Sequence, residues 1–262
     1  MKYLKKTLQN KNTKYVKYLQ FKDDLYSGFI DPITKLPEGY GKHFLVGENE
    51  TKLQYIGQWK NGIKNGNGIL FIDKGGRTFS NFNKNLPNGN TMIFDSNGDY
   101  IKINYVNNNA EGKAESVNVE NGNRMIINYN NNKIEGKVIV NHTNGDREES
   151  FFLNDQKEGK SVYYYENGNI KEINFVQGVA EGKATFFYSN GEKEECNYIN
   201  GQLQGKSTIY FPNGDRKEFN YVDDLPNGKA AFIFAGGDGK KRLEFEYQDG
   251  NIKSETLKYV NE

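Results

Sequence analysis

The sequence predicts an all-β chain, an elongated single-layer antiparallel sheet of stacked β-hairpins, and three observations carry that prediction. Gly66, Gly89, Gly112, Gly136, Gly159, Gly182, Gly205 and Gly228 recur every 23 residues, with a single step of 24. An aromatic residue stands seven positions before each: Trp59, Phe82, Tyr105, Tyr129, Phe152, Phe175, Tyr198 and Tyr221. Between these anchors lie two short apolar runs separated by Asn-Gly, as at Asn97-Gly98, Asn121-Gly122, Asn144-Gly145, Asn167-Gly168, Asn190-Gly191 and Asn213-Gly214. A fixed period of this length marks one small unit stacked many times. Asn-Gly between alternating runs is the strongest short-range hairpin signal.

Taken in order, residues 1–25 form a basic lead. Lys2, Lys5, Lys6, Lys11, Lys14, Lys17 and Lys22 precede the first acid, Asp23. The segment reads as an extended or capping strand, helped by Tyr15, Tyr18 and Phe21, and alternatively as a basic arm for an acidic protein surface or membrane headgroups. The repeat array follows over residues 26–254, and residues 255–262 are a short tail.

Within each unit the register depends on the turn. With a two-residue type I′ turn at Asn-Gly, counting outward sorts the side chains onto two faces. One face then carries the anchor aromatics, the positions two before them (Ile103, Ile127, Ile173, Cys196, Phe219), and Phe71, Phe94, Tyr164, Phe187 and Tyr210. The other carries Ile93, Val140, Tyr163, Phe186, Ile209 and Phe232, then Tyr165, Tyr188, Phe211 and Phe234, together with the acidic column Glu149, Glu172, Glu195, Glu218 and Glu244. Two further columns stand out. Asn81, Asn104, Asn128, Asn174, Asn197 and Asn220 precede the anchor aromatics and are expected to form an amide ladder. Lys113, Lys137, Lys160, Lys183, Lys206 and Lys229 follow the anchor glycines, as solvated gatekeepers or as a stripe for an anionic surface.

The 262 residues carry a formal charge of +1, so no overall pull toward nucleic acid or membrane is built in. Cys196 is the only cysteine, which leaves no internal disulfide and no cysteine-based zinc site. The amino-terminal run Met1-Lys-Tyr-Leu-Lys-Lys lacks the apolar core of a secretory signal, and the expected location is intracellular. Catalysis has little to work with. His43 and His142 stand about a hundred residues apart in a linear array, too far for a triad. The runs Gly178 to Lys183 and Gly201 to Ser207 are one residue short of a phosphate-binding loop and lead into no helix. The glycine-rich run Gly236 to Lys241 fits a hairpin turn. Cys196 replaces Ile or Phe in its column and reads as a buried small hydrophobe. No catalytic site, metal, cofactor, nucleic acid or small-molecule substrate is expected.

Tyr55-Ile-Gly57-Gln-Trp59 with Gly66-Asn-Gly68 closely resembles the MORN repeat, in which Tyr-x-Gly-x-Trp and Gly-x-Gly fall at these offsets. Tyr26-Ser-Gly28 to Gly39-Tyr-Gly41 is similar, with two inserted residues. Later copies resemble the degenerate form found in many bacterial proteins, antitoxin-like ones included. There Gly68 gives way to Thr91, Ala114, Val138, Ser161, Ala184, Ser207 and Ala230. Tyr55 gives way to Thr78, Ile101, Met125, Glu148, Lys171, Glu194 and Lys217. The resemblance implies a cytoskeletal, ciliary or membrane-associated scaffold in the cytoplasm.

The expectation for function is a non-catalytic interaction scaffold or structural subunit of a larger assembly. Its protein partner is expected on Tyr163, Tyr165, Phe186, Tyr188, Phe211, Phe232 and Phe234, where aromatics offer large contact area. Two other readings are a peripheral module for anionic phospholipid, acting through the lysine column and the basic lead, and an antitoxin-like binder that regulates an enzyme on another chain.

Overall fold

The computed structural model describes residues 12–48, 50–236 and 241–259. The leading lysines Lys2, Lys5, Lys6 and Lys11, most of the run Gly236 to Lys241 and the last three residues lie outside the described residues. Strands dominate, and the one helical segment among the described residues is the 3-10 turn Asp73–Gly75. The chain divides between Lys133 and Ile134 into two units. In each unit the strands pair antiparallel with their sequence neighbours.

The first unit begins with Lys14–Phe21 paired to Asp24–Ile30, and continues through Pro37–Val46, Thr51–Lys60 and Ile63–Phe71. Its core is aromatic: Tyr26, Tyr55, Trp59 and Phe82 are buried together, with Tyr55 edge-on to both Trp59 and Phe82 at 5.3 and 5.2 Å. Tyr55 lies flat over Gly57 and Gly68, and a Cβ at either glycine would overlap its hydroxyl. The next repeat replaces all three residues at once. Thr78, Ser80 and Thr91 occupy the equivalent places, and Ser80 Oγ meets Thr91 Oγ1 at 2.6 Å. Glycine is therefore required at these positions only beneath a tyrosine.

The second unit stacks further hairpins, among them Gly159–Tyr164 with Ile170–Val176, Val179–Phe187 with Lys193–Ile199, and Gly205–Tyr210 with Arg216–Val222. Its buried groups are smaller: Val138, Ser150, Ser161, Ile173, Ala184, Cys196, Tyr198, Ser207, Phe219 and Ala230.

The turns correct the expected register. At Asn167-Gly168, Tyr164 pairs with Ile170, and the Tyr165 N–H donates to the Asn169 carbonyl at 2.9 Å. The loop therefore has three residues, Glu166 to Gly168. Gly168 alone takes positive φ (85°), as in a type I turn closed by a glycine bulge. The two-residue type I′ turns sit at the opposite end of each hairpin, carried by Asn107-Asn108, Asn131-Asn132, Asn154-Asp155, Gln177-Gly178, Asn200-Gly201 and Asp223-Asp224, each with positive φ at both residues. The glycines that mimicked a phosphate loop, Gly178 and Gly201, are turn residues of this kind.

One extra loop residue moves every side chain of a strand to the other face. Ile93, Tyr163, Phe186, Ile209 and Phe232 thus share the face of the anchor aromatics, whereas Phe94, Tyr164, Phe187 and Tyr210 lie opposite. The acidic column Glu149, Glu172, Glu195, Glu218 and Glu244 also lies opposite, on the face of the lysine column. Two members of the expected asparagine ladder make local bonds instead. Asn81 donates to Asn67 across its hairpin at 3.1 Å, and Asn174 donates to the Glu181 carbonyl at 3.3 Å.

Neighbouring hairpins are clasped at both ends. At four type I′ turns whose second residue is Asn or Asp, that side chain accepts from a backbone N–H of the hairpin before it. Asn85 does so from Lys64, Asn132 from Ala110, Asp155 from Ile134 and Asp224 from Leu203, each at 2.7 Å. Where Gly stands there, a glutamate of the preceding hairpin accepts from the turn instead, as Glu158 does from Gln177 and Glu181 from Asn200, both at 2.9 Å. At the three-residue loops, Asp146 accepts from Glu166 N–H at 2.8 Å and Asp215 from Ala235 N–H at 2.7 Å.

Candidate interaction surface

In the second unit the corrected register assembles one continuous row across the sheet. Cross-strand partners run Val140, Glu148, Tyr163, Lys171, Phe186, Glu194, Ile209, Lys217, Phe232 and Leu243. From Val140 to Phe232 charged residues alternate with apolar or aromatic ones, and the charges alternate in sign, before Leu243 ends the row. All stand on the face of the anchor aromatics, because a position four before an anchor shares its side of the strand. Glu148, Lys171, Glu194 and Lys217 occupy the column that Tyr55 begins. The sequence showed them only as departures from tyrosine. Their proximity to Tyr163, Phe186 and Phe232 was hidden by the one-residue error in the turn.

Each charge is held differently. Glu148 accepts from Lys157 Nζ and from Ser150 Oγ, both at 2.5 Å, and Lys157 also donates to the Tyr163 hydroxyl at 3.1 Å. Burial opposes ionisation of both partners, yet the hydrogen bonds outweigh it: the Glu148 pKa is lowered and that of Lys157 is raised. Glu194 is 7 % exposed and accepts from Tyr188 Oη at 3.0 Å and Ser207 Oγ at 2.8 Å. Burial and then this carboxylate push the Tyr188 hydroxyl pKa up. The same two causes raise the neighbouring Cys196 thiol to about 12, which leaves it protonated and inert at neutral pH.

Lys171 has no hydrogen-bond acceptor and no carboxylate within 4.0 Å among the described residues. Its ammonium lies 4.9 Å from the Phe186 ring centre and 5.9 Å from that of Tyr198, and burial lowers its pKa. Lys217 donates to Tyr247 Oη at 3.1 Å and faces the Phe219, Phe245 and Tyr247 rings at 5.4, 5.9 and 5.5 Å.

The seven aromatics expected as a partner surface fall into groups on this face. Tyr163 sits with Lys157, Phe186 over Lys171, and Tyr188 against Glu194. Phe211, Phe232 and Phe234 form a chain of ring contacts at 5.3 and 4.9 Å. Tyr165 is the most open, at 38 % exposure.

The opposite face is an ion-pair lattice. Lys137 pairs with Glu149 at 2.8 Å, Lys160 with Glu172 at 2.7 Å and Lys206 with Glu218 at 3.2 Å, while Arg147, Arg216 and Arg242 reach Glu149, Glu218 and Glu244 along their own strands. Lys113, Lys183 and Lys229 have no carboxylate within 4.0 Å among the described residues. In the first unit this face also holds a groove of about 1080 Å³, lined by Ile56, Ile69, Phe79 and Met92 beside the amides of Asn67, Asn81, Asn90 and Asn104.

The family model for the MORN repeat matches residues 55–77, 149–170, 174–193 and 197–216. Among curated proteins, none matches the chain. The first match holds Tyr55, Gly57, Trp59, Gly66 and Gly68; the other three hold Tyr163, Phe186 and Ile209, while Lys171 and Glu194 fall in the gaps between them. MORN repeats are generally found in scaffolds that bind proteins or membranes, and proteins built from them are typically non-catalytic. The chain thus carries MORN repeats at these four regions, set in an all-β stack of hairpins that is consistent with a MORN-repeat protein.

Proposed function

We propose that this chain is a non-catalytic protein-interaction scaffold whose contact surface is the aromatic face of the second unit. The observation that carries the reading is the continuous row from Tyr163 to Phe232, flanked by Tyr165, Tyr188, Phe211 and Phe234 on the same face. Half-buried aromatics interleaved with oriented charge, with Tyr165 open to solvent, have the composition of interface anchors. The phospholipid reading loses support on the other face, because Glu149, Glu172 and Glu218 already neutralise Lys137, Lys160 and Lys206. An antitoxin-like binder of an enzyme would use the same aromatic face and is one form of the proposal.

The test is co-purification from the native source with Tyr165→Ser and Phe234→Ser combined. Both side chains reach solvent, and neither donates a hydrogen bond to Glu194, so the circular dichroism spectrum should not change. Loss of the co-purifying protein is expected. Its retention would show that the partner docks elsewhere.

A further inference from the structure

Two ammonium groups on the aromatic face are walled by rings yet matched to no carboxylate. Lys171 stands on Ile170–Val176 and Lys217 on Arg216–Val222, four strand steps apart, or about 19 Å at roughly 4.8 Å per step. The acids of the row do not serve them. Glu148 is engaged by Lys157, and Glu194 is satisfied by Tyr188 and Ser207. Lys171 has the stronger need, since it is partly desolvated and its ammonium makes no hydrogen bond among the described residues. A charge held this way gains most from an anion delivered by a partner.

We propose that Lys171 and Lys217 are the two ends of a docking site for an acidic, extended polypeptide segment. The inference rests on the reading of the aromatic face as a protein-binding surface. A carboxylate of the partner meets each ammonium, and apolar side chains between them pack on Phe186, Tyr188, Ile209 and Phe211. An extended chain advances roughly 3.3 Å per residue, so the two carboxylates stand about six residues apart. Glu194, midway along the row, disfavours continuous negative charge there. A segment with separated acids therefore fits better than a uniformly anionic membrane.

The experiment is selection of a randomised twelve-residue peptide display library on the full chain, with parallel selections on the Lys171→Met/Lys217→Met and Lys171→Arg/Lys217→Arg proteins. Peptides enriched on the native chain should carry pairs of Asp or Glu about six positions apart. That enrichment should vanish on the Met protein and persist on the Arg protein, with each single Lys→Met change weakening a selected peptide about tenfold in fluorescence anisotropy. Equal acidic enrichment on the native and Met proteins overturns the proposal, as does the absence of acidic pairs or of any enriched peptide. Sedimentation with phosphatidylserine vesicles that is lost in the Met protein would assign the two lysines to lipid and overturn it as well. If Tyr165→Ser/Phe234→Ser releases the native partner but Lys171→Met/Lys217→Met does not, the aromatic face stands and the acidic segment falls.

Discussion

Tyr188 donates its hydroxyl to Glu194 across one hairpin at 3.0 Å, and with Ser207 it satisfies a carboxylate that no cation approaches within 4.0 Å among the described residues. The pair ties a face residue, which a partner would touch, to the packed interior beneath it. Tyr188→Phe leaves one carboxylate oxygen without its donor and should cost about 1–3 kcal/mol. Glu194→Gln keeps an acceptor and removes the buried charge, so its cost should be smaller. Urea denaturation of the two variants measures the difference, and equal losses would show that the Tyr188 bond is not what holds Glu194.

Glu148 and Lys157 give the second unit a predictable acid limb. The Glu148 pKa is depressed below its ordinary 4.5 in the folded state. Its stabilisation is therefore present at neutral pH and is lost as pH falls from about 4.5 through the folded value. Lys157 is raised above 10.5, so its share persists through neutrality and is lost only as pH rises past that value. The melting temperature of Glu148→Gln should lie below that of the native protein at pH 7, with the gap closing below about pH 4.5. A gap that stays constant would contradict the assignment.

Lys171 should behave in the opposite sense. Its folded pKa lies below 10.5, so between the two values the unfolded chain holds a proton that the native chain has released, and stability rises with pH. Lys171→Met should stabilise the protein at pH 7 by on the order of 1 kcal/mol. The advantage should shrink as pH approaches 10.5. Thermal melts across that range decide it, and a destabilised Met variant at pH 7 would show that Lys171 is already adequately paired.

The glycines divide into two kinds with different tolerances. Gly182 has φ of 77° and nothing near a Cβ, so Gly182→Ala should cost only the backbone strain, about 1–2 kcal/mol. Gly57→Ala would drive a methyl into the Tyr55 ring and should cost several kcal/mol by overpacking. The combined change Tyr55→Thr, Gly57→Ser, Gly68→Thr copies the neighbouring Thr78, Ser80 and Thr91, and should recover part of that loss. Denaturant midpoints of the three proteins test the order.

The repeat, its antiparallel hairpins and the burial of Ile173, Cys196 and Phe219 were legible in the sequence, because a 23-residue period constrains every unit alike. The faces were misread for one local reason. Asn167-Gly168 is compatible both with a two-residue turn and with a three-residue loop that uses Gly168 alone at positive φ. The signal that separates them was present in Asn107-Asn108, Asn131-Asn132 and Asp223-Asp224. Paired Asn and Asp tolerate the left-handed conformation. They mark the true two-residue turns at the other end of the hairpin. Once that end is fixed, the parity of each strand follows, and Lys171 falls beside Phe186. The pairing of Lys157 with Glu148 was not legible, since it depends on side-chain reach across a bulged strand.

The clasps at both hairpin ends also bear on how such a chain changes length over generations. Each clasp joins residues about one period apart, Asp224 to Leu203 and Glu166 to Asp146 among them, and asks only that an equivalent neighbour be present. Duplication or loss of a whole 23-residue unit preserves every bond of this kind, while a single inserted residue breaks a clasp and inverts a strand. Copy number is therefore the inexpensive variable in this architecture, and the spacing of any two side chains on a face can be retuned in steps of one hairpin without redesigning either.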